Sequence, residues 1–562
     1  MADSLQTMRQ RAQTVWDAYW KGPGPRAAIN FDTNGWAQGA PAVQRALEQE
    51  LKRRGIQAPV VRVGGLGLCY LEPLVYLANG SQPFVVYGPV RPEDVPALVE
   101  SHLAKGQPVR EKALGTLGEG SLPGLPSIWE HPFLKPQVRL ATRNFGVSDP
   151  ESLDHYLARG GFAGLERALT MAPKAVIDTV GAAGLRGRGG AAFSTAQKWH
   201  FCANAKATPK YVVCNAEEGD SGSFMDRALI ESDPFQLMES LVIAGYAMGC
   251  AAAYVSIRSL FELALRRARV AVAQMVERGL LGKSILGSSF SFEIIVQESG
   301  ESYVAGEETA LLAELEGDRA QPRARPPFPA QEGLWRRPTN VNNVKTLSYV
   351  PAILAQGPEA FTKVGTEKSK GTALVTLSGD VNRTGLVEVP MGYKVRDLVY
   401  EVGGGLLAGR QPKVLQMGGP LGGFLPGTML DNGLDFESLQ GTGGTLGSGG
   451  IVVAGDRRCV VDLMRCIIGF TQKESCGKCV PCRVGQTQLL EVYNRIASGR
   501  ARPYELETIQ QLCGTMAPGS LCGHGQLTPN PINATIRHFK AEYDAHIHDK
   551  QCPTGVCAMR PD

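Results

Sequence analysis

The segment Glu474-Ser475-Cys476-Gly477-Lys478-Cys479-Val480-Pro481-Cys482-Arg483 packs three thiols into seven residues, and a fourth follows in Ser520-Leu521-Cys522-Gly523. This pattern constrains the fold more than any run of helix or strand formers. A short loop must present three thiolates to three corners of an inorganic core, while a distant loop closes the fourth. That is the ligand pattern of a cubane [4Fe–4S] cluster. Zinc sites more often pair two thiolates per knuckle. A disulfide reading is poor, because three crowded cysteines among several other unpaired ones point to a reducing compartment. A cubane moves single electrons, so the remainder of the chain is expected to contain a redox partner.

A length of 562 residues implies about three to five domains. The composition, 43% hydrophobic and 20% charged, is globular. With a net charge of only +4 and no basic run interleaved with aromatics, nucleic acid is not expected as a partner. The opening Met1-Ala2-Asp3-Ser4 lacks a basic segment leading into an apolar one, so no secretory signal is expected and the chain reads as cytoplasmic. The longest apolar stretch, residues 241–257, contains Gly245, Gly249 and Ser256 and falls short of the ~20 residues that span a bilayer. It reads as a buried helix followed by a strand, with Asp233 as cap, Pro234 at the first helical position and Gly249 as stop. Any membrane link would run through partners, without direct insertion.

The pattern divides the chain into five parts. Residues 1–115 read as a small α/β unit, with a helix at 42–54, strands at 60–63 and 83–87, a helix at 92–103 and a Gly/Pro-rich linker at 115–126. Residues 116–370 carry long helices, apolar strands and many of the 67 glycines, as expected of a large α/β ligand-binding domain. Gly187-Arg188-Gly189-Gly190 is a place where backbone can approach a ligand closely. Residues 371–450 turn to short β-like segments (373–378, 387–390, 414–418) around one helix at 395–402, a β-grasp-like module. Residues 451–540 are helical around the thiol cluster, and 541–562 form a tail.

Four motifs in order carry a resemblance: Gly184-Leu-Arg-Gly-Arg-Gly-Gly-Ala-Ala-Phe193, Cys214-Asn-Ala-Glu-Glu-Gly-Asp220, Gly306-Glu-Glu-Thr309 and Pro338-Thr-Asn-Val-Asn-Asn343. Together they resemble the family of FMN- and NADH-binding flavoprotein subunits of respiratory complex I (the 51 kDa type), and most of all the diaphorase (beta) subunits of soluble NAD-dependent formate dehydrogenases and multimeric hydrogenases. The resemblance implies an α/β multidomain chain: a degenerate thioredoxin-like N-terminal domain, a Rossmann-like FMN/NADH domain, a β-grasp (SLBB-like) module and a C-terminal helical bundle carrying [4Fe–4S]. It also implies an FMN cradle of Gly187, Arg188, Gly189, Gly190, Lys198, Asn215, Glu217, Glu218, Gly306, Glu307, Glu308, Asn342, Asn343 and Thr346. Phe193, Phe201 and Phe328 match positions that stack on the dinucleotide, and Glu218 is expected to tune the nicotinamide site. A glycine loop suits such a role because its backbone N–H groups can face a phosphate where any Cβ would collide.

Two positions depart from the family pattern. Asp220 replaces a glutamate near the adenosine ribose, and its charge should favour NAD(H) over a 2′-phosphorylated nucleotide. Arg325 replaces a lysine and pulls the other way. The segment Val63-Gly64-Gly65-Leu66-Gly67-Leu68-Cys69 resembles part of a thioredoxin-like [2Fe–2S] ferredoxin, yet of the four expected ligands only Cys69 is a cysteine. The N-terminal domain is therefore expected to be cluster-free and retained as a docking surface. In the tail, His546, Cys552 and Cys557 fall within twelve residues, and Cys459 offers a fourth ligand. This tail resembles that of some bifurcating-hydrogenase flavoproteins, in which three cysteines and a histidine hold zinc. A mobile tail with free thiols is the alternative, and His548 is a competing ligand. Cys202, Cys214, Cys250, Cys466 and Cys513 read as small buried hydrophobes.

The implied activity is hydride exchange between NAD(H) and FMN, followed by single-electron exchange with the cluster at Cys476, Cys479, Cys482 and Cys522. Its implied partners are a [2Fe–2S] thioredoxin-like subunit and a large iron–sulfur catalytic subunit. The nucleotide module of an electron-bifurcating complex is the alternative within the enzyme class, and a scaffold without redox activity is the alternative outside it.

Overall fold

A computed structural model describes residues 4–560 and resolves three sheets and a C-terminal helical bundle. In the first sheet β1 (Arg26–Asn30) runs parallel to β2 (Val60–Val63), and the helix Ala40–Arg54 makes the crossover. β3 (Val75–Ala78), β4 (Phe84–Tyr87) and β5 (Ala113–Leu117) follow antiparallel, giving the order β2-β1-β3-β4-β5. A parallel pair flanked by an antiparallel hairpin is the topology of a thioredoxin-like unit. β5 occupies the start of the stretch expected to be linker. The first helix, Leu5–Trp20, belongs elsewhere: its Leu5, Met8 and Ala12 join the core of the next domain.

That domain is built on four parallel strands, β6 (Tyr211–Ala216), β7 (Ala252–Arg258), β8 (Glu293–Ser299) and β9 (Thr339–Asn343), in the order β8-β7-β6-β9. The order reverses between β6 and β9, as in a Rossmann-like half. The helix Pro234–Met248 lies behind the sheet with every residue but Tyr246 buried, and its amphipathicity vanishes accordingly. It starts at Asp233, whose side chain accepts from Gln236 N–H, and stops at Gly249 in the left-handed region, as its sequence predicts. Its one buried acid, Glu239, accepts from Tyr156 Oη at 2.5 Å and from the N–H groups of Phe162 and Leu165 at 2.8 and 3.0 Å, so no lone charge is left in the core.

The third sheet has the order β11-β10-β14-β12-β13, from β10 (Thr372–Gly379), β11 (Gly385–Pro390), β12 (Pro412–Met417), β13 (Phe424–Pro426) and β14 (Gly450–Gly455). β14 completes this mixed sheet just past residue 450, parallel to β10 and antiparallel to β12. The helices Val460–Lys473, Val480–Ala497, Glu505–Gly519, Gly523–Leu527 and Pro529–Ile547 then form the bundle. The last helix runs past residue 540, so His546 sits on its final turn. One cysteine expectation needs correction: Cys466 is exposed, because the helix Val460–Lys473 buries the stripe Val460, Val461, Met464, Ile468 and Thr471 instead. Among the described residues no helix is long and apolar enough to cross a membrane.

Candidate functional site

Ligands of open parallel sheets bind beyond the carboxyl ends of the strands, where the strand order reverses. Here β6 ends in Asn215 and Ala216, with Glu217, Glu218 and Asp220 in the loop after it, and β9 ends in Asn342 and Asn343. The glycine loop folds over this edge. Arg188 N donates to Thr346 Oγ1 at 2.8 Å, and Gly187 N donates to the Phe193 carbonyl at 2.8 Å. A Cβ on Gly189 would stand 2.9 Å from Asn343 Cβ, and Gly190 has φ +125°, so the loop accepts no side chain at either position. The Arg188 guanidinium is buried, donating to the carbonyls of Lys370 and Arg186 and lying over the rings of Tyr349 and Phe436.

Asn215 Nδ2 donates to the Gly306 carbonyl at 2.8 Å and so ties β6 to the Gly306-Glu307-Glu308 turn. Glu307 caps the helix Glu308–Leu315 by accepting from Thr309 and Ala310 N–H. Glu218 caps the helix Met225–Ser232, accepting from the N–H groups of Met225, Asp226 and Arg227 at 2.7, 3.0 and 3.0 Å. Burial and the nearby Asp226 push its carboxyl up to about 7, and the N–H groups of the helix N-terminus work against that rise. Glu217 is less engaged: Oε1 accepts from the Ser256 and Ser299 hydroxyls, and Oε2 is buried with no protein partner. Burial, reinforced by Glu314, pushes the Glu217 carboxyl up to about 8. Tyr303 Oη donates to Asp220 Oδ1 at 2.6 Å, Trp199 Nε1 donates to Asn342 Oδ1 at 2.8 Å, and Asn343 Nδ2 donates to Asp226 Oδ2 at 2.5 Å. Asp226, Trp199 and Tyr303 carry no motif that singles them out in the sequence. Asp226 lies eight residues beyond Glu218, and only the intervening turn brings it back to Asn343.

The rim of the crevice is aromatic and charged. Phe193, Phe201 and Phe328 are 48, 58 and 53% exposed, unusual for phenylalanine and suited to stacking a base. Lys198 Nζ and Arg325 Nη1 both donate to Glu308, each at 2.8 Å, and Arg325 also lies 3.6 Å from Glu307. Burial works against ionisation of Glu308, but Lys198 and Arg325 outweigh it and hold the carboxyl below its usual range. The Arg325 guanidinium is thus already paired with carboxylates.

Cys476, Cys479, Cys482 and Cys522 line one cavity with Val304, Pro322, Ser475, Lys478, Leu521 and His524. Three of the thiols come from the loop and first turn that open the helix Val480–Ala497, and the fourth from the residue that precedes the helix Gly523–Leu527, so two separate segments close on the cavity. The first loop is tied to the parallel-sheet domain by Lys478 Nζ to the Pro322 carbonyl at 2.6 Å and by Gln321 Nε2 to the Cys476 carbonyl at 3.2 Å. The donors of Cys459, His546, Cys552 and Cys557 all fall within 4.8 Å of one another. Cys459 Sγ is 3.4 Å from His546 Nε2 and 3.6 Å from Cys557 Sγ. Tetrahedral zinc with bonds of about 2.3 Å to sulfur and 2.0 Å to nitrogen spaces its ligands by roughly 3.5–3.8 Å. The other ring nitrogen, His546 Nδ1, bonds the Glu542 carbonyl at 2.7 Å, which aims Nε2 at the thiols. His548 lies outside the set.

The chain matches the Nuo51 FMN-binding domain over residues 180–352, the SLBB domain over 374–425 and the NADH-ubiquinone oxidoreductase-F iron–sulfur binding region over 462–546. It is 45% identical over 423 residues to HndC, a subunit of the NADP-reducing hydrogenase of Solidesulfovibrio fructosivorans, covering 75% of this chain and 86% of that one. It is 44% identical over 412 residues to the second F-type subunit of the NADH-quinone oxidoreductase of Rhizobium meliloti, covering 73% and 98%. The chain belongs to the family of NADH-quinone oxidoreductase F subunits. A solved NAD+-reducing [NiFe]-hydrogenase in the H2-reduced state superposes with a TM-score of 0.65 at 26% identity, over 97% of this chain and 90% of that one. As a member of this family the protein is an oxidoreductase with FMN-binding and [4Fe–4S]-binding domains.

Its residues fit both groups. At Gly190 the loop leaves open space, the nearest atom to an added Cβ lying 3.9 Å away, and Glu217 Oε2 is a buried polar atom with no protein partner. Four thiols around one cavity suit the cubane. A [2Fe–2S] centre does not fit the N-terminal domain: Cys69 is the single thiol there, bonded by Asn34 Nδ2 at 3.2 Å, and a Cβ on Gly65 would meet Asp32 Oδ2 at 2.2 Å.

Proposed function

We propose that this chain is the diaphorase component of a soluble, cytoplasmic NAD-linked complex, a formate dehydrogenase or a hydrogenase. One observation carries the reading. The crevice at β6 and β9 and the four-thiol cavity share a wall, since Val304 lines the cavity while Gly306, two residues on, bonds Asn215. When bound, FMN supplies exchange between hydride and single-electron chemistry, and the cluster supplies a one-electron carrier. The protein's own part is placement. Phe193, Phe201 and Phe328 stack the dinucleotide, the 187–190 backbone approaches phosphate, and Glu218 holds the loop that presents Glu217 and Asp220. NAD(H) is the preferred nucleotide, because Asp220 repels a 2′-phosphate and Arg325 is engaged by Glu308 and Glu307.

The partners proposed are a [2Fe–2S] thioredoxin-like subunit and a large iron–sulfur catalytic subunit, with the cluster-free N-terminal domain as a docking surface. Zinc held by Cys459, His546, Cys552 and Cys557 pins the tail. That same set favours a second reading, the nucleotide module of an electron-bifurcating complex. The deciding experiment is anaerobic titration of the purified, reconstituted chain with NADH and NADPH, together with identification of the co-purifying large subunit. The expected result is one FMN and about four irons per chain, with bleaching by NADH at least ~10-fold more efficient than by NADPH. A colourless protein, or equal efficiency with NADPH, overturns the corresponding part.

A further inference from the structure

Tyr303 touches more of this machinery than any motif predicted. It opens the short turn Tyr303–Gly306 between β8 and the helix Glu308–Leu315, and three bodies converge on it. Its hydroxyl donates to Asp220 at 2.6 Å, in the loop after β6. Its backbone N–H donates to Glu474 Oε2 at 3.1 Å, two residues before the cluster cysteine Cys476. Its ring stands edge-on to Phe470 and His524, with centroids 5.4 and 5.5 Å away. His524 follows the cluster cysteine Cys522 by two residues, and its Nε2 bonds the Thr471 carbonyl at 2.8 Å. The contact is tightly packed at two glycines. A Cβ on Gly219 would meet Tyr303 Cδ2 at 2.8 Å, and one on Gly419, from the third sheet's module, would meet Asp220 Oδ2 at 2.3 Å.

This arrangement is not general packing. A half-buried phenol gains from a partner, and a carboxylate is the strongest available. Burial and the neighbouring Asp220 keep the Tyr303 hydroxyl protonated, so it stays a donor. The aromatic edges fix the ring's rotation, and with it the direction of the hydroxyl. Asp220, Glu474 and His524 thus all meet at one residue, and the last two flank two of the four cluster thiols.

We propose that Tyr303 is the positioning residue that locks the cluster-bearing bundle to the nucleotide loop, its hydroxyl holding Asp220 while its ring and N–H hold the Cys476 and Cys522 segments. The inference rests on the FMN and [4Fe–4S] reading above and goes beyond it, by giving one side chain a part in coupling the two sites beside the Lys478–Pro322 and Gln321–Cys476 bonds. Removing the hydroxyl frees Asp220 while keeping the ring; removing the ring loosens both cysteine segments.

The test uses the reconstituted chain as Tyr303→Phe, Tyr303→Leu, Asp220→Asn and the double variant that combines Tyr303→Phe with Asp220→Asn. Two readouts are independent of turnover: the EPR spectrum of the dithionite-reduced cluster and its midpoint potential. A third follows cluster reduction against flavin bleaching after mixing with NADH. Tyr303→Leu is expected to broaden or shift the EPR signal, and Tyr303→Phe to slow cluster reduction relative to bleaching by about tenfold. The two conservative changes are expected to be non-additive, because both remove the same bond. If Tyr303→Leu loses its iron on purification, Tyr303→Phe alone decides. Unchanged spectra, potential and relative rates in Tyr303→Phe, or full additivity with Asp220→Asn, overturn the proposal. Such a result leaves the cofactor assignment standing, whereas wild-type protein without flavin or iron removes the assignment itself.

Discussion

Glu217, beside the end of β6, is a residue whose chemistry is only half settled by its protein neighbours. One oxygen accepts from two serines and the other faces no protein donor, while burial and Glu314 raise its carboxyl to about 8. Its folded value lies above the ordinary carboxylate value of 4.5, so the folded chain binds this proton more tightly than the unfolded one. The stability it contributes is complete below pH about 4.5 and is lost as pH rises through about 8. Glu217→Gln keeps a neutral group there at every pH. Its thermal midpoint is expected to fall by less than that of wild type between pH 6 and 9, by about 2 °C or more, in paired melts of flavin-free protein. Parallel pH profiles would count against this account. Gly189 makes a second, steric case. Gly189→Ala places a Cβ 2.9 Å from Asn343, which must shift, at a cost of about 1–3 kcal/mol. Flavin affinity, measured by fluorescence titration, is expected to weaken at least ~10-fold.

At the scale of elements, periodicity and caps located the helix Pro234–Met248 and the strands β2 and β10–β12, because each is a local pattern closed by its own Gly, Pro or Asp. The thiols that now line one cavity were legible as a group from their spacing alone, whereas Cys459 joins His546, Cys552 and Cys557 only through the fold. Other features were not legible. The helix Leu5–Trp20 follows ordinary amphipathic rules, and nothing local says that it packs on the following domain. Asp226 and Tyr303 gain their roles only when loops far apart in sequence meet. The tail gives a direct test at this scale. Among the described residues beyond Ile547 it has no regular structure, and Cys552 and Cys557 are half-buried. If zinc holds it, Cys557→Ser is expected to drop zinc from about one equivalent to none and to open the region after Ile547 to limited proteolysis. Wild-type protein with iron but no zinc by elemental analysis would remove the site.

Across the whole molecule, the glycines of the degenerate ferredoxin segment acquire a structural reason. Gly64 and Gly65 press against Ser232 and Asp32, with Gly65 N–H donating to the Ser232 hydroxyl at 3.2 Å, and the Gly67 carbonyl accepts from the N–H of Leu386 in β11 at 3.1 Å. The N-terminal domain is thereby joined to both following domains through the loop that resembles a ferredoxin's cluster loop. Thr33 extends the joint, donating to Glu231 from its N–H at 2.8 Å and its hydroxyl at 2.5 Å. Glu231 and Ser232 end the helix Met225–Ser232, whose other end is capped by Glu218 at the crevice. One short helix thus spans from the flavin cradle to the N-terminal domain. Arg267, wholly buried, clamps its far end by donating to the carbonyls of Glu231 and of Phe31, the latter at 2.7 Å. Arg267→Ala leaves those two buried carbonyls without a donor and removes the contact to Glu151, a loss on the order of 3 kcal/mol. A helix anchored at both ends transmits that loss, so two effects are expected together: faster proteolytic release of the N-terminal domain and faster dissociation of FMN. Release of the domain with flavin retention unchanged would show that the helix Met225–Ser232 is held by Glu218 alone, and that the N-terminal domain is an independent attachment.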